Sequence, residues 1–352
     1  MSDYQVDIPN AKSPDPIPMG IEAAIIGPLL YAPDTDLARN NPNRVAIHAP
    51  NNYGEAMQQI AECRDCGAAS VHIHPIEEGT GIHRKTPDLY AKNAHGARQV
   101  APGVIINNDA SLNGVGLSTS ASEIEYLSTR LAGLMNDDPP DVFTLFATNE
   151  AIMVADTPGG FPRYYVEDFI RIAGRELEKK RITALAEISQ DPYGMRSVRR
   201  GLQILESAGI ALPGLSFSFL VNGTAMLPAF TGKPLAHQAA NGDMVMETPK
   251  ERFMRVVDEA VSIKEEFNLR GPLTFGTVVT RRKDEQGRGV LQHEVWDWVA
   301  EWAQNHPKAS RDFGIIVKAG LEEWSHYDNR QVSNPEAVCL ARDYMDQCKT
   351  TG

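Results

Sequence analysis

The sequence predicts an α/β chain closed into a (β/α)8 TIM barrel, and three observations carry that prediction. Short β-branched runs alternate with longer amphipathic segments, the signature of a parallel sheet wrapped by helices. Eight strand-then-helix units fit into the 352 residues. An open doubly wound sheet would carry a Gly-rich phosphate turn after its first strand, and Gly27-Pro28-Leu29-Leu30 is no such turn.

Taken in order, the first strand is expected over residues 22–28, and a helical pattern occupies 55–66. The second strand, 69–74, is an apolar run closed by His72-Ile73-His74. A helix over 87–100 leads to the third strand at 104–108, and one over 122–135 to the fourth at 142–146. Helices over 166–180 and 195–208 flank the fifth strand, 183–188, and the sixth strand follows at 214–220. The last units are a helix over 250–267, a strand at 273–279, a helix over 291–304 and a strand at 313–318. The strands are short and β-branched and the helices longer with apolar residues three and four apart, which separates the two periods. Residues 1–20 hold Asp3, Asp7, Asp15 and four prolines, so they read as an extended N-terminal arm. Residues 21–352 read as a single barrel domain with a C-terminal helical extension.

With 42% hydrophobic and 23% charged residues, the composition is that of an ordinary globular chain with a sizeable core. No apolar stretch approaches the roughly 18 to 20 residues that a membrane span requires. The start has neither the apolar segment of a signal peptide nor the pattern of a transit sequence, so a cytoplasmic location is expected. A formal net charge of −12 argues against nucleic acid or an anionic membrane as a partner and leaves a small molecule. Cys63 and Cys66 form a C-x-x-C inside a helical pattern, far in sequence from Cys339 and Cys348 and with no second pair at zinc spacing. Neither a redox nor a structural zinc role is expected of them.

The chemistry starts at His72 and His74. On a strand, residues two apart share a face, so both imidazoles aim at one spot, and such a pair is half of a metal site. An isolated His-x-His is equally well explained as one core histidine beside one loop cap. The barrel weighs on that choice, because active sites are built at the C-terminal ends of barrel strands. The eighth strand lies two places from the second around a closed barrel, and its run ends in Glu322-Glu323. Two His and a Glu with an open position are the arrangement that holds catalytic zinc. His326 lies close by as a substitute ligand or a solvated loop residue. Glu187 is a carboxylate in an apolar strand, where burial requires a cation or a place in the site, and the site is favoured. Thr144 and Thr148 suit either a core hydroxyl or a substrate contact. Asn222-Gly223-Thr224 opens a long connection to Met246, expected to be a lid or an oligomer contact. Arg281 and Arg282 are the best basic pair for an acidic cofactor, although Lys283-Asp284-Glu285 beside them reads as a solvated turn.

On Gly67-Ala68-Ala69-Ser70-Val71-His72-Ile73-His74, on Ala186-Glu187-Ile188, and on Val317-Lys318-Ala319-Gly320-Leu321-Glu322-Glu323, the chain resembles the zinc-dependent β-keto acid cleavage enzymes. The resemblance implies a (β/α)8 barrel with one zinc, or a similar divalent ion, on His72, His74 and Glu322, in a homotetramer or homodimer. It also implies a reaction of a β-keto acid with acetyl-CoA that releases acetoacetate and a new acyl-CoA, although no CoA-binding motif is visible. The departures are specific. Lys318 and Glu323 stand where the family has Arg and Asp, and Lys lacks the planar fork that grips a carboxylate in two places. A lysine in a dry pocket can nevertheless serve as a base or a proton donor. Where the family cradles the substrate carboxylate with a small hydroxyl residue and glycines, this chain has a run that includes Asn108, Asp109 and Ser111. Asp109 would repel a carboxylate there. The acidic residue often found after the first strand is missing, since Pro28 and Leu29 occupy that neighbourhood.

The expected activity is therefore metal-dependent carbon-carbon bond cleavage of a β-keto acid or related β-dicarbonyl compound, by a divergent member whose substrate is not an ordinary short β-keto acid. Lys318, Glu323, Glu187 and Asp109 are the expected catalytic groups, with Glu323 orienting Lys318. Asn108, Ser111, Thr144 and Arg281 are the expected substrate contacts. The alternatives are a zinc-dependent hydrolase or an aldolase-type lyase that works without CoA. A further alternative is a metal-binding barrel subunit that has lost catalysis.

Overall fold

A computed structural model describes residues 19–26, 32–40, 45–75, 79–80, 86–108, 131–146, 163–189, 192–221, 235–238, 244–277, 292–320, 326–327 and 330–350. Eight parallel strands close into a barrel: β1 (Met19–Ala24), β2 (Ser70–Ile73), β3 (Ile105–Asn108), β4 (Val142–Phe146), β5 (Thr183–Ser189), β6 (Ser216–Val221), β9 (Leu273–Thr277) and β10 (Ile315–Gly320). Around the barrel the order is β1, β10, β9, β6, β5, β4, β3, β2, with β1 closing the ring against both β10 and β2. This is the (β/α)8 barrel that the strand count predicts, and each of the eight strands overlaps an expected one.

Alternation along each strand builds two environments. Ile21 and Ala23, Val71 and Ile73, Phe143 and Leu145, Phe217 and Phe219, and Val317 and Ala319 belong to the apolar layer between sheet and helices. Their neighbours Glu22, His72, Thr144, Ser218 and Lys318 therefore point to the inner face, where they too are buried.

The helices present between barrel strands are α1 (Asp36–Asn40), α2 (Tyr53–Asp65), α3 (Pro87–Val100), α4 (Arg163–Lys180), α5 (Pro192–Ser207), α6 (Pro249–Glu266), α7 (Gln292–Asn305) and α8 (Pro307–Phe313). Their starts are written in the sequence. Asn52 accepts from the Glu55 amide at 2.9 Å while Glu55 reaches back to the Asn51 amide, which sets the first turn of α2. Thr248 and Glu251 form a reciprocal capping box with Pro249 in the first turn of α6. The helix expected over 122–135 lies outside the described residues apart from 131–135.

The bounds of the first strand need correction, and the structure adds elements that the sequence reading did not name. β1 begins at Met19, inside the segment read as an arm, and ends at Ala24 rather than at 28. The long connection after β6 contains a hairpin of β7 (Leu235–Gln238) and β8 (Met244–Glu247), paired antiparallel. A second small hairpin joins β11 (His326–Tyr327) to β12 (Arg330–Gln331). The C-terminal extension is α9 (Asn334–Thr350), and it is tied to the start of the barrel. Asn334 donates from Nδ2 to the Ile25 carbonyl and to Gln59 Oε1, each at 2.6 Å. Cys66, at the end of α2, forms a disulfide with Cys339 of α9 across 273 residues of sequence. Cys63 stays a buried thiol, and burial together with Glu62 pushes it up to about 12, which keeps it unreactive. Among the described residues no helix is long and apolar enough to cross a membrane.

Candidate active site at the β1, β2 and β10 strand ends

His72 and His74 leave the end of β2 with their Nε2 atoms 2.9 Å apart and their rings at 75°. Both are buried. Two nitrogens bound to one tetrahedral zinc at about 2.0–2.1 Å lie about 3.3 Å apart, so this pair already converges as two ligands of one ion would. The donors thus fit two corners of the metal site implied by the resemblance. Glu322, the expected third ligand, lies outside the described residues. Among the described residues alone, no group of three His, Cys, Asp or Glu could hold a metal.

One inward layer closer to the barrel floor, Lys318 of β10 faces Glu22 of β1, its direct register partner. Lys318 Nζ is 3.7 Å from Glu22 Oε1, with both side chains almost fully buried. Glu22 Oε2 accepts from Ser70 Oγ at 3.2 Å and from Asn107 Nδ2 at 3.0 Å. Burying an ion pair costs several kcal/mol of lost hydration, which only close partners and further hydrogen bonds offset, and Glu22 has both. The lysine has room because Gly276 lies beside it on β9: a Cβ there would come within 3.0 Å of Lys318 Cδ and 3.2 Å of its Cβ. The end of β10 needs glycine too. Gly320 has φ +127°, and a Cβ on it would press to 2.2 Å from the Ala24 carbonyl oxygen.

Glu22, Ser70 and Asn107 are the residues that sequence reasoning missed. The acidic residue expected after the first strand is absent at Pro28 and Leu29, and the carboxylate stands inside the strand instead. The signal was within the strand, since Glu22 is a carboxylate among apolar neighbours, the same pattern that singled out Glu187.

Glu187 is buried on β5, on the inner row opposite Ser218 of β6. Thr144 is inward and buried on β4. Thr144 Oγ1, Ser218 Oγ and Asn107 Oδ1 have no hydrogen-bond partner among the described residues, so the inner wall presents polar atoms suited to a polar occupant. Asn108 is placed otherwise than expected. Its register partners Ile73 and Phe143 face the helices, and Asn107, level with His72, takes the inward position. Asp109, Ser111, Arg281, Glu322 and Glu323, together with Thr148 and Arg282, lie outside the described residues.

Among solved structures, the chain is similar to apo ObcA, with a TM-score of 0.51 and 14% identity, over 86% of this chain and 62% of that one. The chain thus spans less than two thirds of ObcA, and the likeness is one of fold. Weaker likenesses extend to the phosphotriesterase homology protein of Escherichia coli, at TM-score 0.49 and 9% identity over 95% and 93% of the two chains. The 3-dehydroquinate dehydratase of Geobacillus kaustophilus gives 0.45 and 9%, over 93% and 91%. A comparison with curated proteins found no match. The family model for beta-keto acid cleavage enzyme matches residues 40–222, more than half of the sequence and including both histidines, and the chain belongs to that family.

Proposed function

We propose that this protein cleaves a carbon-carbon bond of a β-keto acid or related β-dicarbonyl compound at a divalent metal, zinc by preference, held by His72, His74 and Glu322. The observation that carries the reading is the convergence of the two imidazole Nε2 atoms at 2.9 Å above a buried Glu22–Lys318 pair. The bound ion would supply Lewis acidity, polarising a carbonyl and offsetting the negative charge of an enolate.

The rest falls to the chain's own groups. Lys318, fixed against Glu22, is a buried cation on the inner face that balances the substrate's carboxylate or enolate charge. With Lys318 engaged by Glu22, proton abstraction falls to Glu323, beside the metal ligand in sequence, with Glu187 and Asp109 as further acid-base groups. Thr144, Ser111 and Arg281 contact substrate, and the amide contact first expected of Asn108 passes to Asn107. Acetyl-CoA is the proposed acyl acceptor, which makes the enzyme an acyltransferase. We infer also a single barrel domain with an N-terminal arm, working as a cytoplasmic homodimer or homotetramer. Family membership and the general preference for closed symmetry support the assembly.

The test is to incubate zinc-loaded protein with a panel of β-keto acids, with and without acetyl-CoA, and to read the products by mass spectrometry. Acetoacetate and a new acyl-CoA are expected only when acetyl-CoA is present. Cleavage without CoA would replace the transferase with a lyase or hydrolase, and no turnover of any β-keto acid would refute the reading.

A further inference from the structure

Beside the site, a cavity of about 360 Å³ lies beyond the ends of β1 and β2 and against α2 and α3. Its body is apolar, formed by Ile25, Ile26, Met57, Ile60, Ile73 and Leu89. His74 also lines it, so the cavity and the candidate metal site share a wall. Tyr53 and Lys92 stand among its polar members, with Lys92 Nζ 4.3 Å from the centroid of the Tyr53 ring. This wall is rigidly set. Tyr53 lies where a side chain of Gly96 would be, since a Cβ on that glycine would meet Tyr53 Oη at 1.9 Å. Its hydroxyl donates to the Lys92 carbonyl at 3.2 Å.

A volume in the range of small-molecule pockets, with an apolar body that Asn51, Asn52, Thr86, Asp88 and Asn93 also border, accommodates an apolar guest. The way a β-keto acid sits in the site says which part of it that is. Its carboxylate is drawn to the inner face, where Lys318 is buried at 3% exposure, and its keto oxygen to the histidine pair. In that orientation the substituent on the other side of the keto carbon would be directed past His74, the residue that the histidine pair and the cavity share. We propose that the cavity binds this substituent, and that the substrates are β-keto acids with an apolar tail of medium length. At roughly 30 Å³ per heavy atom, close to the share of a water in the liquid, the cavity holds on the order of ten. This inference rests on the β-keto acid reading and adds the substrate's tail to it.

The experiment has two arms. In the first, binding of octanoate and of butanoate is measured by calorimetry on the native protein and on Ala56→Trp, which places an indole into the cavity from α2. Leu89→Trp does the same from α3 and serves if the first variant fails to fold. Native protein should bind octanoate more tightly than butanoate by about fourfold per added methylene, and the indole should abolish that preference. In the second arm, kcat/KM is measured on β-keto acids of increasing chain length. It should rise with length in the native enzyme, and the ratio of long to short should fall at least tenfold in the variant. Octanoate binding and chain-length preference that survive in both variants would overturn the cavity assignment, and so would their absence from the native protein. Loss of octanoate preference in the variants of a protein that turns over no β-keto acid would overturn the cleavage reading and keep the cavity.

Discussion

Among the described residues two lysines are almost completely buried, and their surroundings have little in common. Lys318, on the inner face of the barrel, is matched with the Glu22 carboxylate at 3.7 Å, and Ser70 and Asn107 hold that carboxylate in turn. Lys264, on α6 against the outer face, has no carboxylate partner among the described residues. It donates to the Leu215 carbonyl at 3.1 Å and lies 4.8 Å and 5.0 Å from the ring centroids of Phe217 and Phe313. Burial, with a smaller push from Arg270, lowers its pKa to about 7. The outer layer thus accommodates an amine by letting it give up its proton, whereas the inner layer keeps an ion pair at the cost of dehydrating two charges. A core built for stability alone would not need the second arrangement. Its position beneath the histidine pair is why the proposed function gives it a chemical role.

The largest expected effect follows from removing the inner lysine. Lys318→Met should lower turnover by about 100-fold or more, the scale of a lost acid-base or electrostatic group, while leaving metal content unchanged. It should also destabilise the fold by on the order of 3–5 kcal/mol in urea titrations, because Glu22 is left as a buried charge without its cation. Adding Glu22→Gln to that variant should restore most of the stability and none of the activity. A double variant as active as the native enzyme would make the pair structural and erase the contrast.

Gly276→Ala should have a smaller effect, about tenfold on kcat, since the new methyl presses on the lysine stem and moves its ammonium by a fraction of an ångström. Unchanged kcat there would mean that the position of Lys318 is unimportant.

Lys264→Met should leave activity alone and cost about 1–2 kcal/mol at pH 8, because the Leu215 carbonyl loses its donor. Its pH signature is opposite to that of a group stabilised by a partner. With the folded value near 7 and the unfolded one near 10.4, the unfolded chain binds more protons between them. Native stability should therefore rise with pH across that window, by up to roughly 1.4 kcal/mol per unit, and this slope should be missing in Lys264→Met. Equal slopes in both proteins would show that Lys264 stays charged when buried.

Much of this architecture is legible in the sequence because a parallel barrel strand is a short apolar run, and β2 to β6 announce themselves that way. The histidine pair is legible for the same reason, since strand period alone aims both rings at one point. Glu22 escaped because the family pattern drew attention beyond the end of the strand, although its burial among Ile21, Ala23 and Ala24 carried the same physical signal as Glu187. The Cys66–Cys339 bond could not be read from spacing, because only barrel closure brings the last helix beside α2. The β7–β8 hairpin had a local signal in Asn241-Gly242, a dipeptide that favours tight hairpin turns, and its short strands hid it.

The central claim is that His72 and His74 hold a metal ion where the chemistry occurs. Elemental analysis of the purified native protein and of His72→Ala and His74→Ala tests it directly, with circular dichroism to confirm that each variant is folded. The native protein should carry about one divalent ion per chain, zinc by preference, and each variant should lose it. Full occupancy in both folded variants would contradict the account.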